Sequence, residues 1–154
     1  MSEPLVVGAP APDFTLRSGR NNEVTLSALR GNKVVLAFYP LDWSPGCQNQ
    51  MDGFARDYSQ FDAEGAKVFG ISVDSFWSHK AWSDALGLPF DLLADFHPKG
   101  AVAQQYGVYN EERGNARRVT FIIDEEGVIR DVQVAAQGET PTAGMVCEAL
   151  RQIV

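Results

Sequence analysis

The strongest constraint on the fold is an apolar run at residues 34–37 that leads, through a short loop, into an amphipathic segment. Consecutive apolar residues bounded by turn residues predict a fully buried strand, here over residues 33–39. The apolar positions after the loop recur every three or four residues: Met51, Phe54, Tyr58 and Phe61. This spacing predicts a helix over residues 45–61 with one face on the core.

Strands and helices alternate along the rest of the chain. Further strands are predicted at residues 14–17, 24–25, 67–73, 92–94, 119–123 and 128–134. Further helices are predicted at residues 76–86, 98–106 and 141–153, with a helical turn at 26–30 and a polar loop at 110–117. The order indicates an α/β fold with an N-terminal hairpin and a mixed central sheet flanked by helices. At 154 residues, we expect a single domain over 1–154.

Cys47 is the residue whose position points to chemistry. Ser44 suits a helix N-cap and Pro45 suits the first helical position, so Cys47 falls in the first turn. Unpaired N–H groups and the helix dipole favour a thiolate there, which is the nucleophilic form of a thiol. A small buried thiol without reactivity is the alternative interpretation of such a cysteine.

A second segment favours the reactive interpretation. Pro40, Ser44 and Cys47 match the peroxiredoxin pattern of proline, serine or threonine, and peroxidatic cysteine, and Arg118 matches the arginine that this family places on a later strand. The chain therefore resembles the peroxiredoxins over almost its whole length. Within them it is most similar to the one-cysteine alkyl hydroperoxide reductase E type. The resemblance implies a thioredoxin-like fold with the family's insertions, and a thiol-dependent peroxidase without a cofactor.

The resemblance also implies roles for particular residues. Cys47 would attack hydrogen peroxide or an organic hydroperoxide and become a sulfenic acid. Arg118 would stabilise the developing negative charge, Ser44 would help to hold the peroxide, and Pro40 would limit access of water. Two departures from the commonest family pattern are Ser44, where threonine is usual, and Gln50, where glutamate is usual. An amide at Gln50 can still accept a hydrogen bond from an arginine.

Cys147 leaves the route of recycling open. It lies on the flank of the apolar stripe of the C-terminal helix, which is typical of a half-buried structural thiol. The sulfenic acid would then be reduced by an external thiol, namely thioredoxin, a glutaredoxin-like protein or a low-molecular-weight thiol. The alternatives are a two-cysteine mechanism with Cys147 as the resolving thiol, and a non-catalytic thioredoxin-fold module that binds other proteins.

The net charge of the chain limits the kinds of partner that we expect it to bind. Twenty acidic residues against 13 basic ones give a formal net charge of −7, which disfavours nucleic acid and anionic membranes. No apolar run is long enough to span a bilayer and no signal peptide is evident, so we expect a cytoplasmic protein. His79 and His97 are too isolated to suggest a metal site.

The resemblance favours a homodimer, to which an exposed Trp77 would contribute. In the loop before Cys47, we expect Asp42 to point to solvent or to cap the loop. We expect Trp43 to pack beside the pocket.

Overall fold

The computed structural model describes residues 3–135 and 142–153. The strands are β1 (Thr15–Ser18), β2 (Glu23–Thr25), β3 (Lys33–Phe38), β4 (Ala66–Ser72), β5 (Asp91–Ala94), β6 (Tyr109–Asn110), β7 (Asn115–Ala116), β8 (Val119–Ile123) and β9 (Ile129–Val134). The α-helices are α1 (Pro45–Arg56), α2 (Tyr58–Ala63), α3 (Phe76–Leu86), α4 (Ala101–Gln105) and α5 (Ala143–Arg151), and a short 3-10 helix covers Leu26–Leu29.

Seven of the strands form one mixed sheet in the order β2-β1-β5-β4-β3-β8-β9. β3 runs parallel to β4, and β4 runs parallel to β5. The remaining pairings in this sheet are antiparallel, including that of β3 with β8. The mixed sheet and its N-terminal hairpin agree with the sequence-based prediction.

The sheet separates two hydrophobic layers, as the two-residue period of a strand requires. On β3, Val35 and Ala37 face the layer covered by α1, α2, α3 and α5. Val34, Leu36 and Phe38 face the layer that contains α4 and the segments around the small β6–β7 hairpin. Both cysteines lie in the first layer, which we call the helical layer.

The predicted helix over residues 45–61 is wrong as one element, because it divides into α1 and α2 at Asp57. The backbone of Asp57 leaves helical geometry, with φ −101° and ψ 17°, and this residue ends α1 and begins α2. The apolar spacing continues in phase across the break, so the pattern could not reveal it. After the break Phe61 still packs on Phe54, with ring centroids 5.5 Å apart, and Tyr58 stacks on Phe90.

Two further predicted segments differ clearly from the structure. α4 begins at Ala101 rather than at residue 98, because Gly100 adopts a left-handed φ of 69° and the Asp95 carboxylate accepts hydrogen bonds from the N–H groups of Val102 and Ala103. The segment predicted as a polar loop at 110–117 contributes to the β6–β7 pair. Residue 141, the predicted start of the last helix, lies outside the described residues.

None of the helices in the described part of the chain has both the length and the apolar character needed to cross a bilayer. The longest, α1, has 12 residues.

The different space around Gly70 on β4 and Gly53 on α1 predicts opposite effects for two glycine substitutions. A Cβ at Gly70 would lie 2.7 Å from Leu92 Cδ2 and 3.0 Å from Tyr39 Cε1, so we expect Gly70→Ala to lower the free energy of unfolding by about 1–3 kcal/mol. In Gly53→Ala, within α1, the new Cβ meets nothing closer than 3.7 Å and should raise that free energy by up to about 1 kcal/mol. Urea unfolding of both variants tests the pair, and a neutral Gly70→Ala would contradict it.

Candidate active site

Cys47 is the third residue of α1, which follows the carboxyl end of the central strand β3 after a short loop. Ser44 occupies the N-cap in extended conformation, with φ −71° and ψ 144°, and Pro45 takes the first helical position. This arrangement confirms the predicted first-turn position of the thiol. The free N–H groups of that turn provide donors for an anion, as at any helix N-terminus.

The hydroxyl of Ser44 does not cap the helix, which corrects the sequence-based expectation. Ser44 Oγ donates to the carbonyl oxygen of Leu41 at 3.1 Å and accepts no hydrogen bond from a first-turn N–H. The Ser44 side chain therefore bridges its own loop. Its oxygen remains available as an acceptor for a ligand proton.

Arg118 lies against the first turn of α1. The antiparallel register pairs Val119 with Phe38, so the residue before β8 lies beside the end of β3. A Cβ on Gly46 would approach Arg118 Nη2 to 3.3 Å, which places the guanidinium directly against the residue that precedes Cys47. The fold thus brings a permanent positive charge to the turn that carries the thiol.

Gln50 is buried and holds the guanidinium, so it is not an ordinary exposed helix residue. Its Oε1 accepts from Arg118 Nη1 at 2.9 Å, and only 1% of the residue is exposed. Gln50 Nε2 and Thr120 Oγ1 are buried and have no hydrogen-bond partner among the described residues. Burying a polar atom without a hydrogen-bond partner costs free energy. The surroundings of Gln50 therefore contain two polar atoms whose hydrogen-bonding capacity is unused.

Cys47 itself is completely buried within the helical layer. Pro40 is half-buried at the start of the loop that leads to it. Trp43, in the same loop, adopts a left-handed φ of 72° that bulky residues rarely adopt. It leaves 54% of its surface exposed, and its ring centroid lies 6.5 Å from that of Trp82.

Asp42 is the main correction at this site, since it points inward rather than to solvent. Its carboxylate accepts from Tyr39 Oη at 2.6 Å and from Ser78 Oγ at 2.8 Å, and it lies 2.8 Å from His79 Nδ1. Asp74 Oδ2 accepts from the backbone N–H of Asp42 at 2.8 Å. His79 is therefore not isolated; its place three residues before the buried Trp82 was the available signal that it faces the core.

The ligand atoms of Asp42, Asp74 and His79 lie within 4.8 Å of one another, a separation that could hold a metal ion. Hydrogen bonds already account for the cluster. Asp74 accepts from Ser72 Oγ at 2.5 Å, and His79 Nε2 lies 3.0 Å from the Leu93 carbonyl oxygen. We therefore assign these residues to the support of the loop rather than to metal binding.

Cys147 lies on α5 in the same helical layer as Cys47, and both thiols are free. Only 1% of Cys147 is exposed. Burial raises the pKa of the Cys147 thiol, although the nearby Arg151 charge partly opposes this effect. Cys147 is accordingly held in the protonated form, which is a poor nucleophile.

A thioredoxin-like sheet with a helix-terminal cysteine and an arginine against its turn defines the class of thiol-dependent peroxidases, and comparison with known proteins agrees. The AhpC/TSA family model matches residues 7–132, so the chain belongs to this family. Alkyl hydroperoxide reductase E of Mycobacterium tuberculosis strain H37Rv is 42% identical over 147 residues, covering 95% of this chain and 96% of the relative. A putative peroxiredoxin bcp of Coxiella burnetii is 41% identical, covering 83% of this chain and 87% of the relative.

Solved structures show the same likeness. The crystal structure of peroxidoxin BcpB from Mycobacterium tuberculosis matches with a TM-score of 0.86 at 28% identity, over 96% of this chain and 97% of the other. That of Enterococcus faecalis AhpC matches with a TM-score of 0.87, also at 28% identity, over 94% and 90%. The protein is a thiol-dependent peroxidase of the peroxiredoxin type, for which the family implies a peroxide substrate and a thiol reductant.

The burial of Cys147 predicts slow alkylation at neutral pH. In Cys47→Ser, where Cys147 is the remaining thiol, a raised pKa means a smaller thiolate fraction, so iodoacetamide should react more slowly than with a free model thiol. The alkylation rate should rise as the pH increases above the ordinary pKa of a thiol. Alkylation followed by intact mass gives the rates, and the urea-unfolded variant is the control; equal rates in the folded and unfolded protein would contradict the prediction.

Proposed function

We propose that Cys47 is the peroxidatic residue and that it reduces hydrogen peroxide and organic hydroperoxides by a one-cysteine mechanism. The observation that carries this proposal is the position of the Arg118 guanidinium, whose Nη2 would lie 3.3 Å from a Cβ on Gly46, in the same helical turn as the thiol. Ser44 and Pro40 are proposed to shape the peroxide site, and Gln50 to hold Arg118 in place. No cofactor is needed for this chemistry.

In the first step, the Cys47 thiolate attacks one peroxide oxygen. The S–O bond forms as the O–O bond breaks, and the departing oxygen takes up a proton and leaves as water or an alcohol. Sulfur loses two electrons and becomes a sulfenic acid. Because negative charge spreads from sulfur to both oxygens, the fixed charge of Arg118 and the N–H groups of the first turn would stabilise the transition state.

In the second step, an external thiol attacks the sulfenic sulfur. An S–S bond forms and water leaves, and a second thiol then releases Cys47 and departs in a disulfide. The burial of Cys147 on α5, together with Val146 and Leu150 in the same layer, favours this route over resolution by Cys147. A disulfide between the two cysteines requires Cα atoms within about 7 Å and correctly directed side chains.

The same proposal includes the identity of the reductant and the oligomeric state. Thioredoxin, a glutaredoxin-like protein or a low-molecular-weight thiol would serve as the reductant in the cytoplasm. A homodimer is favoured by exposed apolar side chains, among them Trp77, which is 68% exposed and packs against Phe76 with ring centroids 4.7 Å apart.

A single-turnover reaction tests the assignment. Reduced protein is mixed with one equivalent of hydrogen peroxide, quenched rapidly and weighed as intact protein. We expect a fast gain of one oxygen that is lost in Cys47→Ser and kept in Cys147→Ser. Loss of two hydrogens instead would establish Cys147 as the resolving thiol, and a rate no faster than that of a model thiol would exclude Cys47 as a peroxidatic residue.

The position of Arg118 predicts a large effect on the peroxide step alone. Removal of one preorganised hydrogen-bond donor typically costs about 10²–10³ in rate, so Arg118→Ala should slow the formation of the sulfenic acid by that factor. Arg118→Lys keeps the charge but loses the planar fork, and should recover only part of the rate. Arg113→Ala, which changes an exposed arginine, is the matched control. Competition with a second peroxidase gives the rate constants; equal rates for Arg118→Ala and the control would refute the role.

A further inference from the structure

Asp42 is a buried acid in the loop before Cys47 that the peroxide chemistry does not use. Its side chain is fully buried, as is that of His79. We call Tyr39, Asp42, Ser78 and His79 the Asp42 network, after the carboxylate that all the others contact. A buried carboxylate with this many partners costs a great deal to disturb.

The network ties the loop to three separate elements. Tyr39 directly follows β3, Ser78 and His79 belong to α3, and His79 Nε2 lies 3.0 Å from the carbonyl oxygen of Leu93 on β5. The backbone of Asp42 is held as well, because its N–H donates to Asp74 Oδ2 beyond the end of β4. Both the side chain and the main chain of Asp42 therefore fix the start of the segment that leads to Cys47.

This attachment matters because the two steps of the reaction need different access to the same sulfur. Cys47 is 0% exposed, which suits the capture of a small peroxide at a closed site. A thiol reductant is larger and must place its own sulfur in line with the Cys47 sulfur. The loop and the first turn of α1 have to move for that contact, and the Asp42 network opposes the movement.

We propose that Asp42 and His79 are positioning residues that hold the loop closed for the peroxide step and thereby limit the rate of the thiol step. This inference rests on the proposed role of Cys47. It assigns opposite consequences to a weakened network: the peroxide step slows because Cys47 and Arg118 lose their alignment, and the thiol step accelerates because the sulfur is exposed more often. A purely structural role would lower both rates together.

Asp42→Asn and His79→Gln test the proposal, with exposed residues of the same types as matched controls. Asp42→Asn removes the charge at nearly constant shape, and His79→Gln cannot bridge Asp42 and Leu93 from opposite sides of a ring. Asp84→Asn changes an exposed acid on α3, and His97→Gln changes the other histidine of the chain, which is exposed.

Two rates are measured for each variant. The peroxide step is followed by competition with a second peroxidase, and the thiol step by the loss of absorbance of thionitrobenzoate as it reacts with the preformed sulfenic acid. Small losses of alignment can cost orders of magnitude in rate, so we expect the peroxide step to fall at least about tenfold. The thiol step should rise several-fold, and both rates in the two control variants should stay at the wild-type values.

The result that would overturn the proposal is a fall of both rates together, or wild-type values for both, in Asp42→Asn and His79→Gln. If these variants do not fold by circular dichroism, Tyr39→Phe and Ser78→Ala, each of which removes one hydroxyl donor to Asp42, serve as the test with the same criterion. Failure of the proposed function is distinct: wild-type Cys47 would then not form a sulfenic acid faster than a model thiol.

Discussion

The antiparallel pairing of β3 with β8 is the constraint on which the rest of the site depends. β3 leads into α1 through the loop at residues 39–44, and the register that pairs Phe38 with Val119 brings the start of β8 beside the end of β3. A shift by one residue would turn the Arg118 side chain to the other face of the sheet, away from α1. The register is itself fixed by packing, because both strands are buried on both faces and alternate between the two layers. The same register therefore stabilises the core and places the Arg118 charge beside α1.

Much of this fold could be predicted from the sequence because its central strands are largely apolar. The runs at β3, β4 and β8 admit few other interpretations, and Ser44 and Pro45 indicate where α1 starts. Cys47 and Arg118 could be named because their residue types match a family pattern, and because one lies at a helix start and the other directly before a strand. Each of these inferences uses local sequence or a motif, and the structure places these residues where local reasoning expects them.

What could not be predicted depends on partners distant in the sequence. An aspartate in a loop ordinarily faces water, and Asp42 is buried only because Tyr39, Ser78 and His79 supply donors from other elements. The break at Asp57 leaves the apolar spacing in phase, so periodicity carries no sign of it. The burial of Gln50 follows from the position of Arg118, which a helical pattern alone does not contain. Sequence reasoning therefore fails mainly for polar residues that are buried because distant residues supply their hydrogen bonds.

The division of the core by the sheet has a consequence for damage by the substrate itself. Cys47, Met51 and Cys147 all belong to the helical layer, whereas the buried cluster on the opposite face consists of aliphatic and aromatic residues without sulfur among the described residues. Sulfur is the atom in protein side chains that peroxides oxidise most readily, and oxidised methionine or cysteine disrupts packing. Oxidation of buried sulfur is therefore expected in the helical layer and not in the layer on the opposite face of the sheet. On the proposed role of Cys47, the sheet separates the layer in which peroxide reacts from a layer without buried sulfur among the described residues.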